Sequence, residues 1–326
     1  MRRNVFKAIF CLCCLLPTFS LADNYPDKPI TIVVAFGVGG SADRMTRAMS
    51  GYLSEELGQP VKVINKKGAG TLLGSNYLLA QAHDGYTILA SAFSPYLINT
   101  VLDGQAKYTI DDFSYLNFQW FDEDLIALYK HSKYQDLPTL LDAIRTRPKS
   151  VRAAVVRGSE GHLMAKLLLE VNNIPQENLN LVTYNGGGSA RAAVAGGVVD
   201  FIVISAKGCE SIREYIKPLA IVSNQANESW GVPALNQALA GSGAKAPVLP
   251  GSIRGFAMSA EFKQQWPERF ELLTAALKEV LENPELQQLL DRSNIGRRWI
   301  GPDQAKEIMA TSFDVFKNYA YLLKVQ

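Results

Sequence analysis

Four glycine-bearing stretches stand where a short apolar run gives way to a helical pattern: Gly37 to Asp43, Gly68 to Thr71, Gly158 to His162 and Gly186 to Ser189. The chemistry open to such a junction is anion binding. The first amides of a helix have no internal partner, the helix dipole favours negative charge there, and glycine lets a ligand approach the backbone closely. One junction of this kind is ordinary turn chemistry. Four of them, two in each half of the chain, predict a cleft with anion-receptive edges on both walls.

Other chemistries fit the same residues less well. Gly37-Val38-Gly39-Gly40 follows a strand, but the third glycine of a dinucleotide fingerprint is missing, and Asn65-Lys66-Lys67 stands where an acidic ribose partner would close the second strand. There is no GxxxxGK phosphate loop. Ser159 lies near His162, and Asp43 and Asp200 are available, so an exported hydrolase is one alternative; no strand-turn G-x-S-x-G elbow supports it. The three histidines, His83, His131 and His162, include no i, i+4 pair for a helical metal site. No metal and no cofactor are expected. Asp43 in a first helical turn suits the dipole with or without a ligand, and Arg191, in the first turn of its helix, is a candidate cation for an anionic ligand.

The elements that must position these junctions follow a βα rhythm. Ile30 to Phe36 reads as a buried strand, a helix follows from Ser41 to Leu57, Val61 to Ile64 is a second strand, a helix runs from about Thr71 to Ala82, and Thr87 to Ala92 is a third strand. A second unit repeats the pattern in kind: strands at Leu125 to Tyr129, Val151 to Val156, Leu179 to Tyr184 and Val199 to Ile204, with a helix opened by Pro138 and another from Gly161 to about Val171. Asn224 to Pro250 is loop-rich, and helical patterns at Gln264 to Leu281, Pro284 to Leu290 and Pro302 to about Leu322 close the chain. The arrangement predicts a largely parallel sheet covered by helices, and the length predicts two domains.

Residues 1–22 read as an export signal: Arg2, Arg3 and Lys7, then an apolar stretch from Ala8 to Phe19, then Ser20-Leu21-Ala22. Taking those three cations from the 33 Lys+Arg, against 31 Asp+Glu, leaves an almost neutral mature chain. A neutral chain lacks the clustered basic surface of a nucleic-acid binder. Cys11, Cys13 and Cys14 leave with the signal, so Cys209 remains without a disulfide partner and is expected to be a small buried apolar residue.

Taken together, Tyr25-Pro26-Asp27-Lys28-Pro29-Ile30, the FxxGGxxD stretch from Phe36 to Asp43, Leu57-Gly58-Gln59-Pro60-Val61, Asn65 with Gly68-Ala69-Gly70, and Asp84-Gly85-Tyr86-Thr87 resemble the tripartite tricarboxylate transporter solute receptors, the TctC or Bug proteins. So do Tyr184 to Asp200 with Gly196-Gly197, Lys217-Pro218-Leu219-Ala220 and Val232-Pro233. The resemblance implies an α/β type II periplasmic-binding-protein fold, two doubly wound lobes joined by a double-crossover hinge. It places lobe 1 in residues 25–124 and 251–326, and lobe 2 in 125–250. It implies a periplasmic receptor, acting as a monomer, that holds a small carboxylate through backbone amides and hands it to integral membrane subunits, with no nucleic acid involved. Carried onto this chain, the site is Gly39, Gly40, Ser41, Asp43, Gly68, Ala69 and Gly70 on one wall, with Ser159, His162, Gly187 and Ser205 opposite. A sensor for a two-component system would share these features. The chain departs from the family where Gly37-Val38 replaces the usual prolines, where Asn224 to Val232 lacks an arginine, and where Glu160 adds a negative charge to a loop expected to meet an anion.

Overall fold

The computed structural model describes residues 24–323, and the segment assigned to export lies outside the described residues. The chain runs β1 (Ile30–Val34), α1 (Ser41–Glu56), β2 (Val61–Asn65), α2 (Leu72–Leu79), β3 (Thr87–Ser94), α3 (Tyr96–Leu102) and β4 (Phe113–Asp122). After the single residue Glu123 come β5 (Asp124–Tyr129), α4 (Leu137–Thr146), β6 (Arg152–Val156), α5 (Glu160–Val171), β7 (Asn180–Tyr184), α6 (Gly187–Ala195), β8 (Phe201–Ser205) and β9 (Ile216–Ile221). The connection after β9 carries only short helical turns and leads to β10 (Ser252–Ser259). Helices at Ala260–Gln265, Pro267–Glu282, Pro284–Arg292 and Gly301–Tyr319 follow.

Two five-stranded sheets result, ordered β2-β1-β3-β10-β4 and β7-β6-β8-β5-β9. Each has three parallel strands connected by helices, one strand antiparallel to them (β10 or β5), and an outer strand antiparallel to that one (β4 or β9). The expected parallel core is therefore present in both, with an antiparallel pair added to each. In each sheet the strand beside the parallel trio arrives from the other sheet: β5 comes straight from β4, and β10 comes back from β9. The chain thus crosses between the two α/β units twice.

The sequence reading of the parallel strands lands within one or two residues, but β4, β9 and β10 carry no readable period. β4 is buried along nearly its whole length, so apolar and polar positions do not alternate. β10 holds Arg254 and Gly255 in its middle, and the glycine is required: a Cβ there would come within 2.0 Å of the Asn117 carbonyl oxygen. The pattern expected from Gln264 to Leu281 is interrupted at Trp266, where Pro267 starts a new helix as its first-turn residue.

One buried apolar cluster is shared by both units. It joins Val33, Leu89, Phe93 and Phe118 around the first sheet to Ile126, Val155, Leu163 and Val203 around the second, with Met309 and Phe316 of the last long helix. The outer face of each sheet has its own cluster. Burial at about 25 cal/mol per Å² of apolar surface makes these layers the main stabilising term, and the loops at the strand ends are left to form the site.

Candidate functional site

At the carboxyl end of β1 the chain turns through Gly39, whose φ of +79° suits glycine. Its amide donates to Asp43 Oδ2 at 2.9 Å. The same carboxylate accepts from Arg47 Nε at 3.0 Å and from Asn65 Nδ2 at 2.9 Å, and Asn65 Nδ2 also reaches the Phe36 carbonyl. Burial works against this charge, but the hydrogen bonds from Arg47, Asn65 and Gly39 outweigh it and hold the Asp43 carboxyl below its ordinary value. Asp43 is therefore spent on shaping the loop. α1 starts at Ser41 behind Gly40, which has no side chain to cap it, and the first-turn amides of Ser41 and Ala42 have no acceptor among the described residues.

The loop after β2 is strained. Gly68, Ala69, Gly70 and Thr71 take φ values of +149°, +45°, +63° and +98° in succession. For β-branched Thr71 this conformation costs on the order of 1–3 kcal/mol, the kind of expense found where backbone is held for function. Its result is that the Ala69 and Gly70 amides have no acceptor among the described residues, while Thr71 N–H is taken by the Gly68 carbonyl at 3.2 Å. Val38 and Leu73, 76% and 53% exposed, flank the two loops.

On the opposite wall Ser159 caps α5: its Oγ accepts from the His162 amide at 3.1 Å. His162 Nδ1 accepts from the Gly158 amide at 3.3 Å, which leaves the ring proton on Nε2. Burial, with Lys166 and Arg157 nearby, pushes the imidazole down to about 4, so it is neutral. Ser159 and His162 thus form a helix cap, and the serine hydroxyl is not bonded to the imidazole as a nucleophile to its base. α6 starts behind Gly186 without a side-chain cap. Arg191 folds back over that start; a Cβ on Gly187 would meet its Nη1 at 2.8 Å, and one on Gly208 at 2.7 Å. Both glycines make room for the guanidinium, which forms no ion pair among the described residues.

Ser205 serves the crossover. Its Oγ donates to Asp122 Oδ2 at 2.5 Å, the Lys207 amide donates to Asp122 Oδ1 at 3.1 Å, and the Ala206 amide donates to the Glu123 carbonyl at 2.9 Å. Arg254 on β10 approaches Asp122 Oδ2 at 3.7 Å and stacks on Trp120 with 4.7 Å to the ring centroid.

Glu160 is not the exposed negative charge that its place in the loop suggests. It is 1% exposed, and burial, reinforced by the charge of Asp124, raises its carboxyl well above the ordinary range. A buried carboxyl without a counter-ion stays protonated because the desolvation cost of ionising it is several kcal/mol. Asp124 behaves likewise, raised to about 8 by burial and then by Asp122, with Arg254 acting against the shift. Cys209 is fully buried and its thiol is pushed up to about 12 by burial.

Contacts between the two α/β units run through α3. Asn99 Nδ2 donates to the Gly158 carbonyl at 2.6 Å, and Tyr96, edge-to-face with Phe36 at 5.4 Å, packs against the apolar cluster of the second sheet. Asn99, Tyr96, Asp122, Asp124 and Arg254 escaped the sequence reading. A cation inside the apolar run from Ile253 to Met258 was the one signal that pointed to any of them.

The sequence profile described as "Tripartite tricarboxylate transporter family receptor" (TctC) matches residues 45–313. BugT of Bordetella pertussis is 33% identical over 181 residues, which is 55% of this chain and 55% of BugT, so the chain matches little more than half the length of that relative. Among solved structures, a TctC solute-binding protein from Polaromonas superposes with a TM-score of 0.71 at 24% identity, covering 91% of this chain and 99% of that one. MatC from Rhodopseudomonas palustris, with bound malate, gives 0.73 at 19% identity, covering 91% and 100%. At these identities the structural likeness is one of fold: two doubly wound α/β lobes joined by a double-crossover hinge, the type II periplasmic-binding-protein architecture.

Proposed function

Because this chain belongs to the tripartite tricarboxylate transporter receptor family, we propose that it is a periplasmic receptor that captures a small di- or tricarboxylate by lobe closure and delivers it to integral membrane subunits. The reading has lobe 1 formed by residues 25–124 and 251–326, lobe 2 by 125–250, and export directed by a cleavable signal at 1–22. The protein binds its solute and returns it unchanged.

The observation that carries the proposal is a pair of uncapped helix starts, α1 on one side and α6 on the other, the second overlain by Arg191, which forms no ion pair among the described residues. One ligand carboxylate sits on the amides around Gly40, Ser41, Ala69 and Gly70. Asp43 supports that loop from below, with Gly39 and Gly68 shaping the turns. The distal group meets Gly187 and Arg191, with His162 Nε2–H as a further donor. Ser159 and Ser205 act on the wall itself, one as a helix cap and one as a crossover brace. Each charge-assisted bond to a carboxylate contributes about 1.5–3 kcal/mol. Three or four, after ordering costs, reach roughly micromolar affinity, about −8 kcal/mol. Malate bound to MatC supports the size and charge of this ligand class.

A thermal-shift screen of mono-, di- and tricarboxylates against their amides tests the reading. Carboxylates are expected to raise the melting temperature while the amides do not, and Gly40→Leu should remove the response in a folded protein. Arg191→Ala should weaken di- and tricarboxylates about tenfold or more, the worth of one charged hydrogen bond, while sparing monocarboxylates. Equal responses to acids and amides would end the proposal.

A further inference from the structure

The hinge buries more acid than base. Glu160 opens α5 with both carboxyl oxygens buried and without a side-chain partner among the described residues, the Gly251 backbone N–H alone favouring its charged form, and Asp124 opens β5 with Oδ2 buried and unpartnered among them. The two press on the same turn: a Cβ on Gly161 would lie 3.0 Å from Asp124 Oδ2. Asp122, across Glu123, is already matched by Ser205, the Lys207 amide and Arg254. Arg254 is thus the buried cation for three buried acids, and its charge is answered by Asp122. The dipole of α5 favours an anion at Glu160 by about 1 kcal/mol, much less than the several kcal/mol that burial of an unpaired carboxylate costs.

The groups also belong to different sheets on either side of the crossover. Asp122 and Arg254 sit on strands of the first sheet, whereas Asp124 and Glu160 sit on β5 and α5 of the second. We propose that Glu160 and Asp124 form a proton-operated latch at the hinge: closure of the lobes takes up protons on this pair, and opening, which admits water, releases them. The latch depends on the hinge and not on which solute the cleft holds.

Other charged and titratable groups surround the pair. Facing it are Asp122 and Glu123 of the crossover, Arg254 of β10 with Arg44 of α1 behind it, Tyr96 of α3, and Cys209 after β8. Burial pushes Tyr96 and Cys209 each up to about 12, and His162, two residues along α5, down to about 4. An acid whose pKa is raised in the closed form favours that form fully below the ordinary carboxylate range. The preference fades as pH climbs towards the raised value, about 8 for Asp124.

The test uses the folded protein without ligand, followed by small-angle scattering and infrared spectroscopy from pH 5 to 9. The closed-to-open ratio should fall about tenfold or more between pH 6 and 8, and the carbonyl stretch of a protonated carboxyl should weaken in step with the opening. The double variant Glu160→Gln with Asp124→Asn keeps the shape without the charge, and should stay closed throughout and lack that band. A wild-type protein whose dimensions ignore pH, or a double variant that opens with the same profile, would overturn the latch. If the double variant does not fold, the wild-type infrared spectrum decides alone: absence of a protonated-carboxyl band at pH 6 refutes the proposal, and a band that is lost as the protein opens supports it.

Discussion

Asn99 Nδ2 donates to the carbonyl oxygen of Gly158 at 2.6 Å, tying α3 beside the first sheet to the turn that starts α5 beside the second. The contact closes a gap of 59 residues and lies between the two nominated walls. Its removal is expected to favour the open form without harming either core. Asn99→Ala should lose about 1 kcal/mol of closure, roughly a fivefold weaker affinity. Titration calorimetry with the carboxylate that gives the largest thermal shift checks this; an unchanged affinity would show that the bond does not contribute to closure.

Asp43 concentrates three donors on one carboxylate, so Asp43→Asn should disturb the Gly39 loop more than its size suggests. The expected loss is about 2 kcal/mol of stability, read by urea denaturation, with faster amide exchange at Gly39. Because the folded carboxyl is held below its ordinary value of 3.8, its contribution is complete above that value and fades as pH falls through the depressed one. The gap between wild type and variant should therefore persist at pH 5 and close only in stronger acid.

His162 responds in the opposite direction to most surface histidines. Its pKa falls from 6.5 to about 4 on folding, so the unfolded chain binds the proton more readily. Stability from this residue is complete above pH 6.5 and drains away as pH drops towards 4, by up to about 3 kcal/mol. His162→Gln should flatten that part of the pH profile in thermal melts. An imidazole signal titrating near 6.5 in nuclear magnetic resonance spectra would contradict it.

Two glycines separate packing from propensity. A Cβ on Gly161 would come within 2.0 Å of the Val203 carbonyl oxygen, so Gly161→Ala should cost about 3 kcal/mol or more in chemical denaturation. A Cβ on Gly188, inside α6, would meet nothing within 4 Å. Gly188→Ala should gain about 0.5–1 kcal/mol, because alanine is the better helix former. Similar effects at both positions would mean that the first turn of α5 packs otherwise than described.

The parallel strands and the glycine junctions after them were readable along the chain because both are local patterns. A run such as Ile30 to Val34 must be buried on both faces, and a glycine before a helical repeat leaves amides uncapped wherever the segment lies. The roles of the individual polar groups were not readable. Asp43, Ser159 and Ser205 all looked like ligand contacts, yet their hydrogen-bonding capacity goes to Gly39, His162 and Asp122 respectively. Only the folded chain assigns such partners, since a side chain bonds to what lies beside it in space.

Glu160 marks the boundary most sharply. From its neighbours in the chain it is a charge at a loop; in three dimensions it is a buried carboxyl whose pKa is pushed up by burial and by the charge of Asp124. Local order along the chain settles which segments become strands and which helix starts stay open. Ionisation, pairing and the meeting of the two walls depend on burial and on contacts such as Asn99 with Gly158, and these exist only once the backbone has crossed twice between its two sheets.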